Sequence, residues 1–129
     1  MNNEDLRYGL DLENLLYGTV KYFFGDDTLQ TIGSHPYDYY NHSTFIELKS
    51  RRCKHNRYPT TMIGENKLQF ARKFPDKTFV FLFRFEDGLY QHIFNPNKKY
   101  EIKIGGRQDR GRKEFKYYAF IPIEELTPL

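Results

Sequence analysis

Three ionisable residues near the middle of the chain, two carboxylates and a lysine, have a spacing that would bring them together. In STFIELKSRR, residues 43–52, Glu47 and Lys49 alternate with aliphatic residues. A strand places alternate side chains on opposite faces, so Glu47 and Lys49 point the same way. Asp38 lies nine residues before Glu47, about the distance at which an antiparallel partner brings its carboxylate beside Glu47.

The chemistry that such a group supports is metal-assisted cleavage of a phosphodiester bond. Two converging carboxylates suit a hard divalent cation such as Mg²⁺, which keeps several waters and takes few protein ligands. A lysine beside them can orient or deprotonate a water, or balance the charge of a phosphate. The competing interpretation is a solvated pair of Glu47 and Lys49 on an edge strand. Asp38 favours the catalytic interpretation, as does a later helix that carries Lys67 and Gln69 and can pack over the same face.

Two helices are predicted from the apolar periodicity. In residues 4–24, apolar side chains recur at three- and four-residue spacing, and Gly25 follows as a stop. The segment 60–74 begins with threonine and then has apolar residues at helical spacing. We therefore predict a second helix there, which Pro75 ends.

The other segments predict strands and turns. TFVFLFRF, residues 78–85, is the strongest strand signal, with phenylalanines on one face and aliphatic residues on the other, which predicts burial on both sides. Turn-forming residues around a short aromatic run predict a hairpin arm at 33–43. An order of helix, strands, helix and strands is typical of a layered α/β domain. We predict further strands at residues 44–50, 89–94, 100–104 and 115–123.

The segment PYDYYNHSTFIELKSRR, residues 36–52, resembles the signature of the PD-(D/E)xK nucleases, in which an aspartate and a spacer precede E-x-K on a strand. Asp38, Glu47 and Lys49 match this signature residue by residue. Tyr37 stands where the signature has its proline, which is not a ligand. The resemblance covers roughly residues 9–94. It implies a single domain over residues 1–129 with a restriction-endonuclease-like core, a mixed central β-sheet flanked by helices.

The resemblance also implies the residues of the site. Mg²⁺, with Mn²⁺ as a substitute, would be held by Asp38, Glu47, the Leu48 carbonyl and a glutamate of the first helix. Glu13 is our candidate for that glutamate, with Glu4 and Asp11 as alternatives, and His35 is a further possible ligand, as in some RNA-cleaving relatives. The predicted catalytic residues are Asp38, Glu47, Lys49, Lys67 and Gln69.

Basic residues are concentrated in two segments that could contact phosphates. Such blocks are commonly solvated loops, but in a protein that approaches a polyanion they provide its electrostatic attraction. The first follows the E-x-K strand directly, and the second lies within residues 98–113. The predicted nucleic-acid contacts are Arg51, Arg52, Lys54, Arg57, Arg107, Arg110 and Arg112.

Composition excludes several other classes of protein. The chain has 129 residues, enough for one hydrophobic core, and the single cysteine, Cys53, excludes an intramolecular disulfide framework. No signal peptide or membrane span is evident, so we predict an intracellular protein. The four histidines have no zinc-ligand spacing and the glycines match no phosphate loop. Cys53 and His55 are too close in sequence for a nucleophile and base, so we interpret Cys53 as a free thiol.

The predicted function is that of a Mg²⁺-dependent endonuclease acting on DNA, because most of the resembled family cuts DNA. The alternatives are an RNA endonuclease, a non-catalytic nucleic-acid-binding module with the same fold, and an interaction protein. The expected partner is nucleic acid, with no membrane, and the family suggests a homodimer.

Overall fold

The computed structural model of the chain describes residues 3–105 and 116–129, with the backbone alone for residues 5–11. Two α-helices, nine strands and one short 3₁₀ helix are found in these ranges. In chain order they are α1 (Asn3–Phe24), β1 (Leu29–Gln30), β2 (Tyr39–Tyr40), β3 (Thr44–Ser50), β4 (Thr60–Gly64), α2 (Glu65–Arg72), β5 (Thr78–Phe85), β6 (Gly88–Ile93), β7 (Glu101–Gly105), β8 (Lys116–Pro122), the 3₁₀ helix (Ile123–Glu125) and β9 (Thr127–Pro128).

The described strands form two sheets. The larger sheet has the order β1-β2-β3-β5-β6-β9, and the smaller one has the order β4-β8-β7. β3 pairs with β5 in parallel, so that Glu47 lies opposite Phe81, whereas the other pairings in both sheets are antiparallel. The larger sheet is therefore mixed, as the sequence predicts.

The larger sheet is buried on both faces because β5 is apolar on both. Its phenylalanines pack with α2 and the inner face of the smaller sheet, through residues such as Leu68 and Ile121. On the opposite face, Val80 and Leu82 pack with Ile46 and with the apolar side of α1. The structure thus confirms the predicted mixed sheet flanked by helices, and it gives β3 one face toward each helix.

The predicted helix at 60–74 is wrong in its first third. Residues 60–64 form β4, which pairs with β8 from Thr60↔Pro122 to Gly64↔Tyr118. Two threonines and an isoleucine favour a strand, and α2 begins only at Glu65, directly after Gly64. The two-residue strands β1 and β9 were not predicted, because such short pairings leave no periodic signal.

No helix in residues 3–105 and 116–129 is long and apolar enough to cross a membrane.

Candidate active site

The early end of β2 places Asp38 against the edge of β3. Tyr39 lies opposite Ile46, and the Asp38 N–H donates to the Ile46 carbonyl at 2.9 Å. Beyond this point the Asp38 carboxylate takes the place of a strand partner, because its Oδ2 accepts the Leu48 N–H at 2.7 Å. The predicted antiparallel arrangement of Asp38 and Glu47 is therefore present, and a backbone hydrogen bond fixes the Asp38 carboxylate.

Glu47 is buried between two lysines. Its side chain is 6% exposed, Lys49 Nζ lies 3.2 Å from Oε1, and Lys67 Nζ lies 3.5 Å from Oε2. Lys67 reaches this position because α2 is tied to the loop before β2: the Tyr37 hydroxyl donates to the Lys67 carbonyl at 2.8 Å, and Lys67 Nζ donates to the Pro36 carbonyl. The geometry thus brings Lys67 to the E-x-K strand.

The first helix contributes Glu13 on the other side of Asp38. The Tyr39 hydroxyl donates to the Glu13 carbonyl at 2.5 Å, and the Tyr39 ring stacks on Tyr17 with centroids 5.9 Å apart. These contacts hold α1 so that the Glu13 carboxyl hydrogen-bonds to Asp38. Of the three acidic candidates, Glu13 is thus at the site; Glu4 is exposed, and the Asp11 side chain is outside the described part of the chain.

Burial and crowding raise the pKa of both central carboxyl groups. For Asp38, burial, then the hydrogen bond to Glu13 and the charge of Glu13, raise the pKa to about 7, against the hydrogen bond from Leu48 and the charge of Lys49. Burial, followed by the charge of Asp38, raises the pKa of Glu47, and the two lysines oppose this. The ionised carboxylates therefore repel one another in a poorly solvated site, and a bound cation would reduce this repulsion.

The donor set fits a hard divalent cation. Within residues 3–105 and 116–129, no three acidic, histidine or cysteine side chains are grouped closely enough to form a metal site as they stand, and the Glu47 carboxylate faces the lysines. Asp38 and Glu13 are joined by a hydrogen bond that needs a proton, whose place a cation can take. The Leu48 carbonyl points to the same strand edge as its N–H, toward Asp38. Few protein ligands, all oxygen, are the pattern of Mg²⁺ with several retained waters.

Two other predicted residues lie near this centre, but their hydrogen bonds go to groups other than Asp38 and Glu47. Gln69 is exposed, its amide donates to Glu65 Oε1 at 3.2 Å, and it lines the groove that also contains Lys49. His35 accepts the Tyr37 N–H at Nδ1, and its ring stacks on Phe45 with centroids 6.0 Å apart. The geometry gives His35 a role in supporting the loop before β2.

The basic segment after β3 divides into one inward and three outward residues. The Arg51 guanidinium donates to the Met62 carbonyl at 2.8 Å and lies over the Phe83 ring, and burial lowers its pKa. In contrast, the other three side chains are exposed. These are Arg52, Lys54 and Arg57. The predicted contacts Arg107, Arg110 and Arg112 lie outside the described residues.

The loop that carries these residues is anchored at His55. Its N–H donates to Asp87 Oδ1 at 2.9 Å, and its Nδ1 lies 2.6 Å from Asp87 Oδ2. The His55 ring also stacks on Tyr90 with centroids 4.6 Å apart. His55 therefore fixes the loop to the β5–β6 turn.

Sequence reasoning missed six residues that line the groove beside Lys49 and Lys67. The groove has a volume of about 510 Å³ and lies between the start of α2 and β8. The run KYY at the start of β8, read only as a strand, was the available signal. The missed residues are Gly64, Glu65, Asn66, Lys116, Tyr117 and Tyr118.

Comparison with known families identifies the class of protein that this fold and site define. A family model described as "Phage putative PDDEXK endonuclease" matches residues 35–129, which is most of the chain. The chain belongs to this family, which confirms the PD-(D/E)xK resemblance. Comparisons with curated proteins and with solved structures gave no match. The family match contains Asp38, Glu47 and Lys49, whereas α1 and Glu13 precede it.

Proposed function

We propose that the protein is a Mg²⁺-dependent DNA endonuclease whose site is built on Asp38, Glu47 and Lys49. The observation that carries the proposal is a buried carboxylate, Glu47, flanked by two lysines and facing a second carboxylate whose pKa is raised. A purely structural surface pair would be solvated, whereas the Glu47 side chain is 6% exposed. Family membership supports a nucleic-acid substrate, and the resemblance supports DNA.

In this proposal Asp38, Glu47 and the Leu48 carbonyl hold the cation, and Glu13 assists through Asp38. When bound, Mg²⁺ polarises a phosphate oxygen and makes a coordinated water more acidic. Lys49, beside Glu47 and partly open to solvent, is placed to donate hydrogen bonds that orient the attacking water. The attacking water gives up one proton to solvent as its oxygen bonds to phosphorus, the phosphorus–oxygen ester bond breaks, and the leaving oxygen takes up one proton.

The two other polar residues of α2 have supporting roles. Lys67 positions Glu47 and neutralises negative charge that develops on the phosphate. Gln69, exposed in the groove beside Lys49, orients the substrate near the lysine.

Phosphates flanking the cleaved bond meet the outward basic residues Arg52, Lys54 and Arg57, and the segment with Arg107, Arg110 and Arg112 adds further contacts. These residues position the substrate without reading its bases. For Arg51 we propose a structural function, because its guanidinium already holds β4 to the end of β3.

We further propose that two copies act together on duplex DNA, since each chain offers one site. We also propose that the protein works inside the cell, where a lone Cys53 stays reduced.

The test is cleavage of matched substrates with controlled metal. Circular duplex DNA, linear duplex, single-stranded and branched DNA, and RNA of the same sequence are incubated with Mg²⁺, Mn²⁺ or chelator. We expect Mg²⁺ and Mn²⁺ to support cleavage of DNA, including the circle, which has no ends. Full activity in chelator would contradict the metal site, and cleavage of RNA alone would contradict the choice of DNA.

A further inference from the structure

The outer face of the smaller sheet carries aromatic residues that are partly exposed. Along β8, Ala119 and Ile121 turn inward to the core, so Tyr118 and Phe120 point outward, where both are partly exposed. Met62 lies opposite Phe120 on β4 and is 38% exposed. The three side chains form a continuous surface, which we call the aromatic face.

The two rings of the aromatic face have defined supports. The Tyr118 ring lies directly over Gly105 of β7, because a Cβ at that glycine would come within 3.0 Å of Tyr118 Cδ2. Lys103 Nζ lies 5.3 Å from the centroid of the Phe120 ring. A side chain at position 105 would require the Tyr118 ring to shift by a few tenths of an ångström, so the glycine allows the ring its close approach to β7.

The aromatic face connects the catalytic lysines with the basic loop. At one end, Tyr118 lines the groove of about 510 Å³ that contains Lys49 and Lys67. At the other end, Met62 and Phe120 line a cavity of about 390 Å³ whose rim includes Lys54. A chain that runs from the candidate active site to the basic loop therefore crosses the aromatic rings.

The charges along this path favour a polyanion. The groove is lined by Lys49, Lys67 and Lys116 and by the Glu65 carboxylate, and Lys49 and Lys67 also pair with the buried Glu47, so the cationic groups outnumber the carboxylates by three to two. Further along, Lys103 is paired with Glu101 at 2.7 Å, so it contributes less net charge. Aromatic rings beside a cationic track are the arrangement by which proteins hold unpaired nucleotides, since every base has a face that can stack.

We propose that the aromatic face binds unpaired nucleotides of the DNA substrate next to the cleaved phosphate, with bases stacked on Tyr118 and Phe120. The inference rests on the proposed function and specifies its substrate class. In a paired duplex the base faces are covered by neighbouring pairs and only the edges are accessible. The protein therefore prefers a junction between duplex and single strand over a continuous duplex.

The test compares two fluorescent DNA probes of equal length in chelator: a duplex with a single-stranded flap and a fully paired duplex. Binding is followed by anisotropy for wild type, Tyr118→Leu and Tyr118→Phe. Tyr118→Leu should weaken binding of the flap probe about tenfold and of the duplex less than twofold, because it removes one stacking partner. Tyr118→Phe keeps the ring and should bind as wild type does. Tyr22→Leu, an exposed tyrosine on α1, is the matched control and should change neither probe.

A second variant guards against misfolding at Tyr118. Met62→Glu adds a negative charge to the same face at an exposed position, and it should also weaken the flap probe selectively. The inference would be overturned if either variant weakened both probes equally. It would also be overturned if Tyr118→Leu, or a folded Met62→Glu, bound the flap probe as tightly as wild type does. Such a result would not affect the proposed nuclease function, because cleavage by the wild type is measured separately. Selective binding of the flap by a protein that cleaves no DNA would contradict the proposed function and leave the inference about the aromatic face standing.

Discussion

The surroundings of Asp38 could be predicted only in part from the sequence. Strand alternation is enough to place Glu47 and Lys49 on one face, and the nine-residue spacing places Asp38 nearby. Glu13 was our candidate among the acidic residues of the first helix, but Glu4 and Asp11 stayed open as alternatives, because the sequence does not fix how a helix is rotated against a sheet. That rotation depends on the hydrogen bond from Tyr39 to the Glu13 carbonyl.

Removing the charge of Asp38 should stabilise the metal-free protein. An asparagine can still accept the Leu48 N–H, but it no longer repels Glu13 and Glu47. A carboxyl with a raised pKa costs stability once it is ionised, here above about pH 7. At pH 8 in chelator, we expect Asp38→Asn to raise stability by about 1 kcal/mol, or about 3–6 °C in Tm by calorimetry.

The same variant tests cation binding without relying on activity. Millimolar Mg²⁺ or Mn²⁺ should raise the Tm of wild type, because a ligand that binds only the folded state stabilises it. The increase should be largely absent in Asp38→Asn and retained in Asp76→Asn, where the replaced aspartate is exposed. Equal metal-induced shifts in wild type and Asp38→Asn would contradict a site at Asp38.

Among the elements, the strands that pair with a neighbour in sequence, or that alternate strongly between their two faces, were predictable from the sequence. The first residue of α2 was not. The partner of β4 is β8, and Thr61 lies opposite Ile121, far away in the sequence. A single chain gives no sign of such a pairing, so the helical spacing after residue 64 dominated the prediction. The error matters for the proposed site, because the end of β4, the start of α2 and β8 line the groove beside Lys49 and Lys67.

The basic loop after β3 should contribute to affinity through charge alone. Replacing Lys54 and Arg57 together with glutamine removes two outward cations. The slope of log affinity against log salt on duplex DNA should then become shallower by about 1.8, by counterion release. Binding titrations at several salt concentrations measure this slope, and an unchanged slope would show that the loop is only a solvated surface.

Arg51→Gln should behave differently from the loop variants. Its guanidinium holds the Met62 carbonyl and lies over Phe83, so its loss removes contacts between β3 and β4. We expect a loss of about 1–2 kcal/mol in unfolding free energy, with the salt slope nearly unchanged. Urea denaturation and the same titrations separate the two effects; a slope that falls by about 0.9 with unchanged stability would instead assign Arg51 to phosphate contact.

In the whole molecule, His92 links β6 to the 3₁₀ helix and to the residue that precedes β7. It lies on β6, its Nδ1 is 3.2 Å from the Glu125 carbonyl, and its Nε2 is 2.7 Å from the Tyr100 hydroxyl. Because a carbonyl only accepts, Nδ1 carries the proton and Nε2 accepts from Tyr100, which fits a neutral ring. Sequence periodicity gave the strands but not this contact, which joins residues from three separate segments.

Acid should weaken the fold through His92. Burial lowers its pKa, an effect that the Glu125 carbonyl and charge oppose and Lys98 reinforces. The unfolded chain therefore binds more protons below the usual value of about 6.5, so the stability that His92 contributes is present above that pH and is lost as pH falls. The unfolding free energy of wild type relative to His92→Gln should decline from pH 7 to pH 5 in urea titrations. Parallel curves would contradict a buried neutral His92.

The most direct test of the proposed nuclease site is the single-turnover cleavage rate of Lys49→Ala with Mg²⁺. Lys49 is partly exposed and Glu47 keeps Lys67 as a partner, so the replacement should leave the fold largely intact and remove one of several cations that attract DNA, together with the group proposed to orient water. The rate should fall at least about 100-fold. Lys73→Ala, an exposed lysine after α2, should cut at the wild-type rate and controls for general loss of charge. If folded Lys49→Ala cuts DNA as fast as wild type, the site on Asp38, Glu47 and Lys49 is not where cleavage occurs.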